Sequence, residues 1–323
     1  RFGKDSKIIE VYKIKINKKQ KLKMKNYTLV ILAAGMGSRY GGTKQLDAVS
    51  EHGETIMDFS LFDAVKAGFT KIVFIVRKDI LEEVKTDFGA KLAGKVEVEY
   101  VIQETTKVPS KYKDNERTKP WGTGHALLVA KDVIKDNFCV INADDFYGYD
   151  AFSSILSFLK KTDETTNNYA MVGYPIFNTL SDNGSVSRGE TFVDENNNLH
   201  KIIERTSITK QGDAIVYKTE EGEEATISKD TLVSMNFWGF TPAFLDFLES
   251  EFNDFLEENS KELKTEFFLP FVVDNLIQNK QAEVQVIGTS ALWMGVTYKE
   301  DKDIVVNKVK ELMSASLYPE KLW

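Results

Sequence analysis

Apolar residues in the first half of the chain occur in short unbroken runs, and segments with helical spacing separate these runs. The runs are rich in aliphatic and β-branched residues and lie at 27–34, 71–76, 96–102 and 138–142. Such runs are typical of strands buried on both faces of a parallel sheet. Residues 56–67 instead repeat apolar positions at helical spacing and end before Gly68, a common residue after a helix. Strands and helices therefore alternate through this half.

The second half of the chain has shorter apolar stretches and more turn residues. Turn-rich links are predicted at 183–187, 194–198 and 220–224. Helices are predicted from the glycine-rich segment 122–125 through Ile134, and at 242–256, 266–278 and 300–313. The whole pattern predicts an α/β fold, with a doubly wound, mostly parallel Rossmann-like sheet in residues 27–165 and a mixed α+β lobe in residues 166–323. Ligands of such sheets bind beyond the carboxyl ends of the strands.

Charge is distributed unevenly along the chain, which has 323 residues and a net charge of −7. Residues 1–26 contain ten basic and two acidic side chains. This composition predicts a basic, disordered N-terminal tail, with a basic docking arm as the alternative. The rest of the chain is acidic and has no basic patch, so nucleic acid is not an expected partner.

Two further features of the composition narrow the functional class. No apolar run approaches the roughly 18 residues of a membrane-spanning helix, so no membrane partner is expected. Cys139 is the only cysteine, which excludes an internal disulfide framework and a cysteine-ligated zinc site. A lone cysteine suits a reducing compartment, and we expect a cytoplasmic protein.

The strongest chemical signal is the glycine-rich segment 32–44, which follows the first predicted strand. Small residues there let backbone N–H groups approach a polyphosphate, and Arg39 and Lys44 add fixed positive charge. A dinucleotide-binding fingerprint fails because Tyr40 occupies its third glycine position. A Walker loop fails because Thr43 occupies its lysine position. The segment therefore predicts a phosphate-binding loop of another kind.

The motif Leu-Ala-Ala-Gly-x-Gly-Ser-Arg…Lys in 32–44 resembles the opening loop of the sugar-1-phosphate nucleotidylyltransferases, or nucleotide-sugar pyrophosphorylases. The similarity in order extends over most of residues 27–300. It implies an enzyme that condenses a nucleoside triphosphate with a sugar 1-phosphate, with Mg²⁺, giving a nucleotide sugar and pyrophosphate. Thr43 departs from the family, which often has proline there. The resemblance implies catalytic roles for Arg39 and Lys44, and nucleotide binding by Leu32, Ala34, Gly35, Gly37 and Ser38.

A second segment resembles the part of this family that reads the base. It combines Gln103, at a strand end, with the turn 119–126, and implies base contacts by Gln103, Gly122 and Thr123. A side-chain amide offers a donor and an acceptor, as a uracil edge requires. The resemblance therefore favours UTP, with dTTP and CTP as alternatives. His125 is predicted to pack or to form hydrogen bonds rather than to act as a catalyst.

An acidic motif at residues 142–146 follows the fourth predicted strand. The resemblance implies that Asp144 binds Mg²⁺, a hard cation that prefers carboxylate, phosphate and water oxygens. Asp145 is the alternative ligand or a sugar contact. Many relatives have a second metal-binding acid, but the corresponding segment 293–297 contains none, and the acids of 299–303 are predicted as a solvated helix start. The second ligand is thus unassigned.

The acceptor side of the site is implied by weaker motifs. Residues 203–206 resemble a family segment in which an acid holds sugar hydroxyls and a base holds the sugar phosphate. Those roles pass to Glu204 and Arg205, and arginine can bind a phosphate through two parallel hydrogen bonds. Gly184 and Asn236 are further candidates for sugar binding.

The reaction itself needs no general base, because the sugar phosphate is already an anionic nucleophile. The scarcity of His and Cys is therefore no obstacle. Three other readings are open: transfer of a nucleotide to another phosphorylated acceptor such as phosphocholine or a pterin, a glycosyltransferase that uses nucleotide sugars, and a non-catalytic regulatory subunit. The retained loop cations and the long second lobe favour the pyrophosphorylase. The residues do not decide the sugar or the oligomeric state.

Overall fold

One eleven-stranded mixed sheet runs through the computed structural model, which describes residues 25–35, 48–113, 116–219, 221–296, 298 and 300–323. The strands are β1 Thr28–Leu32, β2 Lys71–Val76, β3 Glu97–Ile102, β4 Phe138–Asn142, β5 Asp145–Phe146, β6 Asn168–Pro175, β7 Val186–Val193, β8 Leu199–Gln211, β9 Ala214–Lys218, β10 Glu224–Ile227, β11 Leu232–Phe240, β12 Glu283–Gly288 and β13 Met294–Gly295. The helices are α1 Ile56–Ala67, α2 Leu81–Leu92, α3 Thr123–Leu128, α4 Tyr149–Lys161, α5 Phe244–Asn259, α6 Leu269–Gln278 and α7 Asp301–Ser314. The main strand order is β10-β9-β8-β7-β11-β4-β1-β2-β3, and β6 pairs with β11 and β12.

The parallel part of the sheet consists of β4, β1, β2 and β3. All four strands form where the sequence predicts them. Their bounds agree within two residues, and the first strand stops at Leu32 because Ala34 and Gly35 already form a turn. Every residue of β2 is buried, as its unbroken apolar run requires. The predicted Rossmann-like α/β fold is confirmed.

Helix α1 has the predicted bounds because its ends carry strong local signals. Thr55 and Asp58 form a reciprocal capping box at the N-terminus. Gly68 follows the last helical residue with a φ of 111°, a left-handed conformation that glycine adopts without strain.

Other predicted helix bounds were wrong by several residues. The helix expected through Ile134 ends at Leu128, and the chain continues in turns with i+3 hydrogen bonds such as Lys131 N to Leu128 O. Ala130 and Ile134 are still buried, so these turns keep the apolar spacing that suggested a helix. Helix α6 begins at Leu269 instead of 266, with a proline in its first turn.

The second half adds mainly antiparallel strands to the same sheet. Strand β11 joins the halves, because its residues 238–240 pair with β4 and its residues 233–234 pair with β7. The expected division at 165/166 falls between α4 and β6, and strands from both sides share the sheet. The links predicted at 183–187 and 220–224 are shorter than expected, since β7 begins at Val186 and β10 at Glu224.

Two further predictions concern the N-terminal tail and membrane-spanning helices. The basic tail predicted at 1–26 lies almost wholly outside the described residues, which begin at 25. Within the described ranges, every helix is too short or too polar to serve as a membrane span.

Candidate active site

The carboxyl ends of the four parallel strands lie along one edge of the sheet. Leu32 of β1 pairs with Ile75 of β2 and with Asn142 of β4, and Val76 pairs with Ile102 of β3. The loop after β1, Gln103 after β3 and the acids after β4 therefore emerge at the same edge, where ligands of this fold bind. The structure thus brings the start of the loop after β1, Gln103 and the acids after β4 to one edge of the sheet.

The phosphate-binding loop is described only at its start. Leu32 is half-buried, Ala34 is buried and Gly35 is exposed at the sheet edge. The remaining residues assigned to this loop lie outside the described ranges, and their roles stay predictions: Gly37, Ser38, Arg39 and Lys44.

The segment predicted to read the base forms a compact hydrogen-bonded unit. The Gln103 Nε2 atom donates to the Gly122 carbonyl at 3.2 Å and to Nδ1 of His125 at 3.1 Å. The Nε2 atom of His125 lies 2.9 Å from the Lys107 carbonyl. The predicted neighbours Gln103, Gly122 and Thr123 are therefore close together, and His125 forms hydrogen bonds at the helix start as predicted.

The glycines of this turn are required by close packing. Gly122 has a φ of +99°, and a Cβ atom there would lie 2.6 Å from the Phe267 carbonyl oxygen. The N–H of Gly124 donates to that same carbonyl at 2.9 Å. The Thr123 hydroxyl accepts a hydrogen bond from Leu269 N at 3.0 Å. The segment before α6 thus clamps the turn from one side.

A buried arginine holds the polar stretch that precedes this turn. Arg117 donates to the carbonyl oxygens of Lys119 and Pro120, and to those of Glu262 and Thr265. Its guanidinium stacks on the Trp121 ring at 3.6 Å. Burial lowers the pKa of Arg117. Arg117 therefore has a structural role that joins the stretch before α3 to the link between α5 and α6.

A chain of polar side chains links the acids after β4 to β11. The buried Asp145 accepts hydrogen bonds from Asn142 Nδ2 at 2.9 Å and from the Tyr147 hydroxyl at 3.2 Å. Asn142 Oδ1 in turn accepts from Asn236 Nδ2 at 2.7 Å. Asp144 is half-buried beside Asp145. Asn236 and Asp145, both predicted to contact the substrate, therefore form hydrogen bonds with the same side chain, that of Asn142.

The residues after β4 fit a metal site that has one protein carboxylate. In the described part of the chain, no group of three or more His, Cys, Asp or Glu residues is arranged to hold a metal ion. Mg²⁺ is usually held by one or two carboxylates together with water and substrate phosphates. Asp145 already accepts two hydrogen bonds through Oδ2. Asp145 is buried and Asp144 is half-buried, so the Asp144 carboxylate is the more accessible candidate ligand of the two.

The segment in which relatives have a second acid leaves no room for one. Gly295 pairs with Asp145 across the two-stranded ladder of β13 and β5. A Cβ atom at Gly295 would lie 2.6 Å from the Trp293 ring and 2.9 Å from Asp145 Oδ1. A larger side chain would require both neighbours to move, which accounts for glycine at this position.

The interpretation of Asp301 as part of a solvated helix start was wrong. Asp301 is buried and accepts hydrogen bonds from Ser181 Oγ, Asn183 Nδ2 and Tyr298 N, at 2.8, 2.8 and 2.7 Å. It therefore fastens the link before β7 to α7. Asp303 is exposed, as expected.

Gly184 belongs to that same link and packs closely there. A Cβ atom at Gly184 would lie 2.5 Å from the Tyr298 hydroxyl, which donates to Ser185 O at 2.7 Å. This close approach explains why glycine occupies the position, and the explanation involves no ligand. The role of Gly184 in sugar binding stays a prediction.

Arg188 on β7 interacts with the predicted site residues Asp145 and Glu204, and sequence reasoning missed it. It is 8% exposed, its guanidinium lies over Trp293 at 4.8 Å, and Nη2 donates to the Thr179 carbonyl. Its Nε is a buried atom without a hydrogen-bond partner. An arginine two residues after Val186, in a strand whose alternate residues face inward, was the available signal.

The charge of Arg188 interacts with Asp145 and Glu204, which the sequence assigned to the site, and with Asp301, which it did not. Burial lowers the pKa of Arg188 to about 10, while Asp145, Glu204 and Asp301 oppose this shift. Arg188 is thus a cation at neutral pH. The pKa of Glu204 is raised by partial loss of hydration, although the residue is exposed, and Arg188 opposes that shift.

Glu204 and Arg205 occupy consecutive positions on β8 and therefore point to opposite faces. Arg205 Nε donates to Glu190 at 2.7 Å, and the guanidinium lies over the Tyr217 ring at 4.5 Å. The structure does not bring the two predicted acceptor contacts together. Glu204 lies in the field of Arg188, whereas Arg205 has a partner of its own on β7.

Comparisons with known proteins identify a matching family and solved structures of similar fold. Residues 28–297 match the family model described as Nucleotidyl transferase. No curated protein matches the chain in sequence.

Among solved structures, one described as a putative glucose-1-phosphate thymidylyltransferase from Bacillus anthracis has a TM-score of 0.59 and 14% identity, over 88% of this chain and 96% of that one. A UDP-glucose pyrophosphorylase complexed with UDP-glucose has a TM-score of 0.55 and 16% identity, over 88% and 99%. The inositol-1-phosphate CTP transferase from T. maritima has a TM-score of 0.53 and 15% identity, over 88% and 96%. At these identities the likeness shows a shared fold.

Proposed function

The chain belongs to the nucleotidyl transferase family, and we propose that it condenses UTP with a sugar 1-phosphate to give a UDP-sugar and pyrophosphate. The observation that carries this proposal is the meeting of three motifs at one sheet edge. The loop after β1, the turn around Gln103 and the acids after β4 all emerge there. A nucleoside triphosphate needs these three environments at once, for its phosphates, its base and its metal ion.

The chemical problem in this reaction is repulsion between anions. A sugar phosphate must approach a triphosphate, and two unit charges 4 Å apart repel by roughly 4 kcal/mol at an effective dielectric constant near 20. Arg39 and Lys44 would offset this charge at the phosphates, whereas Arg205 stays paired with Glu190 on the face of β8 opposite to Glu204. Glu204 would accept hydrogen bonds from sugar hydroxyls. Arg39, Lys44 and Glu204 would orient an in-line attack of the acceptor phosphate oxygen on the α-phosphorus.

Asp144 is the proposed ligand of Mg²⁺. An ion held there would supply positive charge that offsets the charge of the phosphate oxygens in the in-line transition state. Asp145 has a different part in the proposal. It holds Asn142 and Tyr147 in place and so keeps the loop after β4 in a fixed shape.

The direct test is a screen for pyrophosphate release. UTP, dTTP, CTP, ATP and GTP are each combined with phosphocholine and with a panel of hexose 1-phosphates, with and without Mg²⁺. We expect release with UTP and a sugar 1-phosphate, and loss of release when the ion is chelated. Release with phosphocholine but with no sugar 1-phosphate would contradict the proposed acceptor. No release with any pair would contradict the proposed reaction.

A pair of matched variants tests the role of Asp144. Asp144→Asn removes the negative charge at nearly constant shape, and we expect turnover to fall by about 10²-fold or more. Asp213→Asn makes the same change at an exposed hairpin position and should keep wild-type turnover. Equal turnover of the two variants at saturating Mg²⁺ would contradict the assignment of the metal ligand to Asp144.

A further inference from the structure

The Gln103 amide uses both of its hydrogens inside the protein. Its Nε2 atom donates to Gly122 O at 3.2 Å and to His125 Nδ1 at 3.1 Å. A carbonyl oxygen can only accept, so the amide nitrogen must face Gly122 and the amide oxygen must face the other way. Across the ranges that the structure describes, no group donates a hydrogen bond to this oxygen. The oxygen is also not one of the fully buried side-chain atoms without a partner, so part of its surface is exposed. A ligand can therefore reach it.

The orientation of this amide depends on the tautomer of His125. The Nε2 atom of His125 lies 2.9 Å from Lys107 O, which can only accept, so Nε2 carries the hydrogen. In a neutral imidazole Nδ1 is then an acceptor, as the Gln103 contact requires. Burial lowers the pKa of His125 to about 4, which keeps the ring neutral at neutral pH. The ring also packs 5.0 Å from that of Phe252.

We propose that His125 is a positioning residue that presents only the oxygen of the Gln103 amide to the base, so that the site selects uracil or thymine over cytosine. This inference rests on the proposed function, because it concerns the nucleotide of that reaction. Uracil and thymine carry a hydrogen on N3, which Gln103 Oε1 can accept. Cytosine has an unprotonated N3, and two acceptors would then face each other without a hydrogen between them.

Loss of the acceptor at position 125 should release this selection. One hydrogen bond, to Gly122 O at 3.2 Å, would then hold the amide instead of two, so the orientation with the oxygen toward the base is less strongly favoured. An amide that can reverse at low cost can satisfy either pyrimidine. A polar site that fits only one partner discriminates far better than an adaptable one, because the wrong partner leaves a buried polar group unpaired.

Two substitutions separate this role from simple packing. His125→Asn places an amide oxygen near the position of Nδ1, so it keeps an acceptor for Gln103 and loses the contact with Lys107. His125→Gln reaches toward Lys107 O and leaves no acceptor at the Nδ1 position. Both remove the aromatic ring beside Phe252, so they share the same packing loss. Circular dichroism and thermal unfolding establish that both variants fold.

The test is calorimetric binding of UTP, CTP and N3-methyl-UTP to the full chain without acceptor. We expect the wild type to bind UTP at least tenfold more tightly than CTP or N3-methyl-UTP. His125→Gln should bring the UTP-to-CTP ratio within about threefold of one, and His125→Asn should keep it within about threefold of the wild type.

Three results would overturn the inference: a wild-type preference for CTP, equal binding of UTP and N3-methyl-UTP, or an unchanged ratio in folded His125→Gln. Steady-state turnover distinguishes this from a failure of the proposed function. If no sugar 1-phosphate supports turnover but the binding ratio still depends on position 125, the acceptor reaction is wrong and the role of His125 stands.

Discussion

Close packing around Gly122 restricts the turn that is predicted to contact the base. A Cβ atom at Gly122 would meet the Phe267 carbonyl oxygen at 2.6 Å, at a φ of +99°. Gly212 also has a positive φ, of +62°, but a Cβ atom added there would have no other atom within 4 Å. The two positions share an unusual backbone conformation and differ in the space around them.

This difference gives a matched prediction for two alanine substitutions. Gly212→Ala should cost about 1 kcal/mol of unfolding free energy, because it introduces only backbone strain. Gly122→Ala should cost about 2–4 kcal/mol, because the Phe267 backbone must also move. Urea denaturation measures both values. Equal losses would show that the contact with Phe267 does not restrict the turn.

Arg39 carries the sharpest prediction for a single catalytic residue. The resemblance assigns it to the triphosphate, where it would stabilise charge that develops in the transition state. Arg39→Ala should lower turnover by on the order of 10²–10³, about 3–4 kcal/mol. Near-normal pyrophosphate release from a folded Arg39→Ala enzyme would refute this role.

At the scale of single elements, β11 changes partner at one residue. Asn236 has a φ of +61°, between the part of β11 that pairs with β7 and the part that pairs with β4. Its side-chain amide donates to Asn142 at 2.7 Å and accepts from Trp238 Nε1 at 3.0 Å. Asparagine tolerates this left-handed conformation better than most residues do. Asn236 thus combines the bend of the strand with a contact to the loop after β4.

Glycine and alanine at this position separate the two contributions. Asn236→Gly keeps the backbone conformation and loses the amide contacts, whereas Asn236→Ala loses both. We expect the alanine variant to be about 1 kcal/mol less stable than the glycine variant, and both to lose turnover by similar factors. A glycine variant with wild-type turnover would show that the amide does not orient Asn142 for the reaction.

Helix α1 and the turn before it carry three buried acids that residues 318–323 contact. Leu322 N donates to Glu54, Trp323 Nε1 donates to Asp58, and the Tyr318 hydroxyl donates to Asp63, at 3.3, 2.9 and 2.6 Å. Burial raises the pKa of Asp63 to about 7, while Tyr318 and Lys66 oppose the shift. The last residues of the chain are therefore part of the fold around α1.

Asp63 should make this packing sensitive to pH. Its pKa is higher in the folded than in the unfolded chain, so its stabilising contribution is complete below the unfolded value and is lost as the pH rises through about 7. Asp63→Asn removes this loss. The unfolding free energy of the variant minus that of the wild type should therefore increase by about 2–3 kcal/mol when the pH is raised from 5 to 8. Chemical denaturation at both pH values tests this, and a difference independent of pH would contradict it.

The stability of the whole molecule should reflect two buried groups with opposite pH dependence. The pKa of His125 is lowered to about 4, so its contribution is present above the unfolded value near 6.5 and is lost as the pH falls. Between pH 4 and 6.5, the contribution of His125 to the unfolding free energy rises with pH, whereas that of Asp63 falls with pH. In Asp63→Asn the opposing slope of Asp63 is absent, and we expect stability to rise by up to about 1.4 kcal/mol per pH unit over this range. A falling profile would contradict it.

The parallel half of the sheet could be predicted from sequence because burial on both faces imposes unbroken apolar runs. The antiparallel half could not be predicted in detail, because strand partners there depend on the bend at Asn236. Pairing of Gln103 with His125 also escaped prediction, since it requires β3 and α3 to meet. Asp301 was misread because a charged run at a helix start resembles a solvated surface until its partners, Ser181 and Asn183, are known.

The proposed reaction of the whole molecule is attack of the acceptor phosphate on the α-phosphorus of the nucleotide. The most direct measurement follows radiolabelled phosphorus through one turnover, with UTP labelled at the α or the β position and the sugar 1-phosphate that supports release. We expect the α label in the nucleotide sugar and the β label in pyrophosphate. An α label recovered as free UMP, or a β label that stays with the nucleotide, would contradict this reaction.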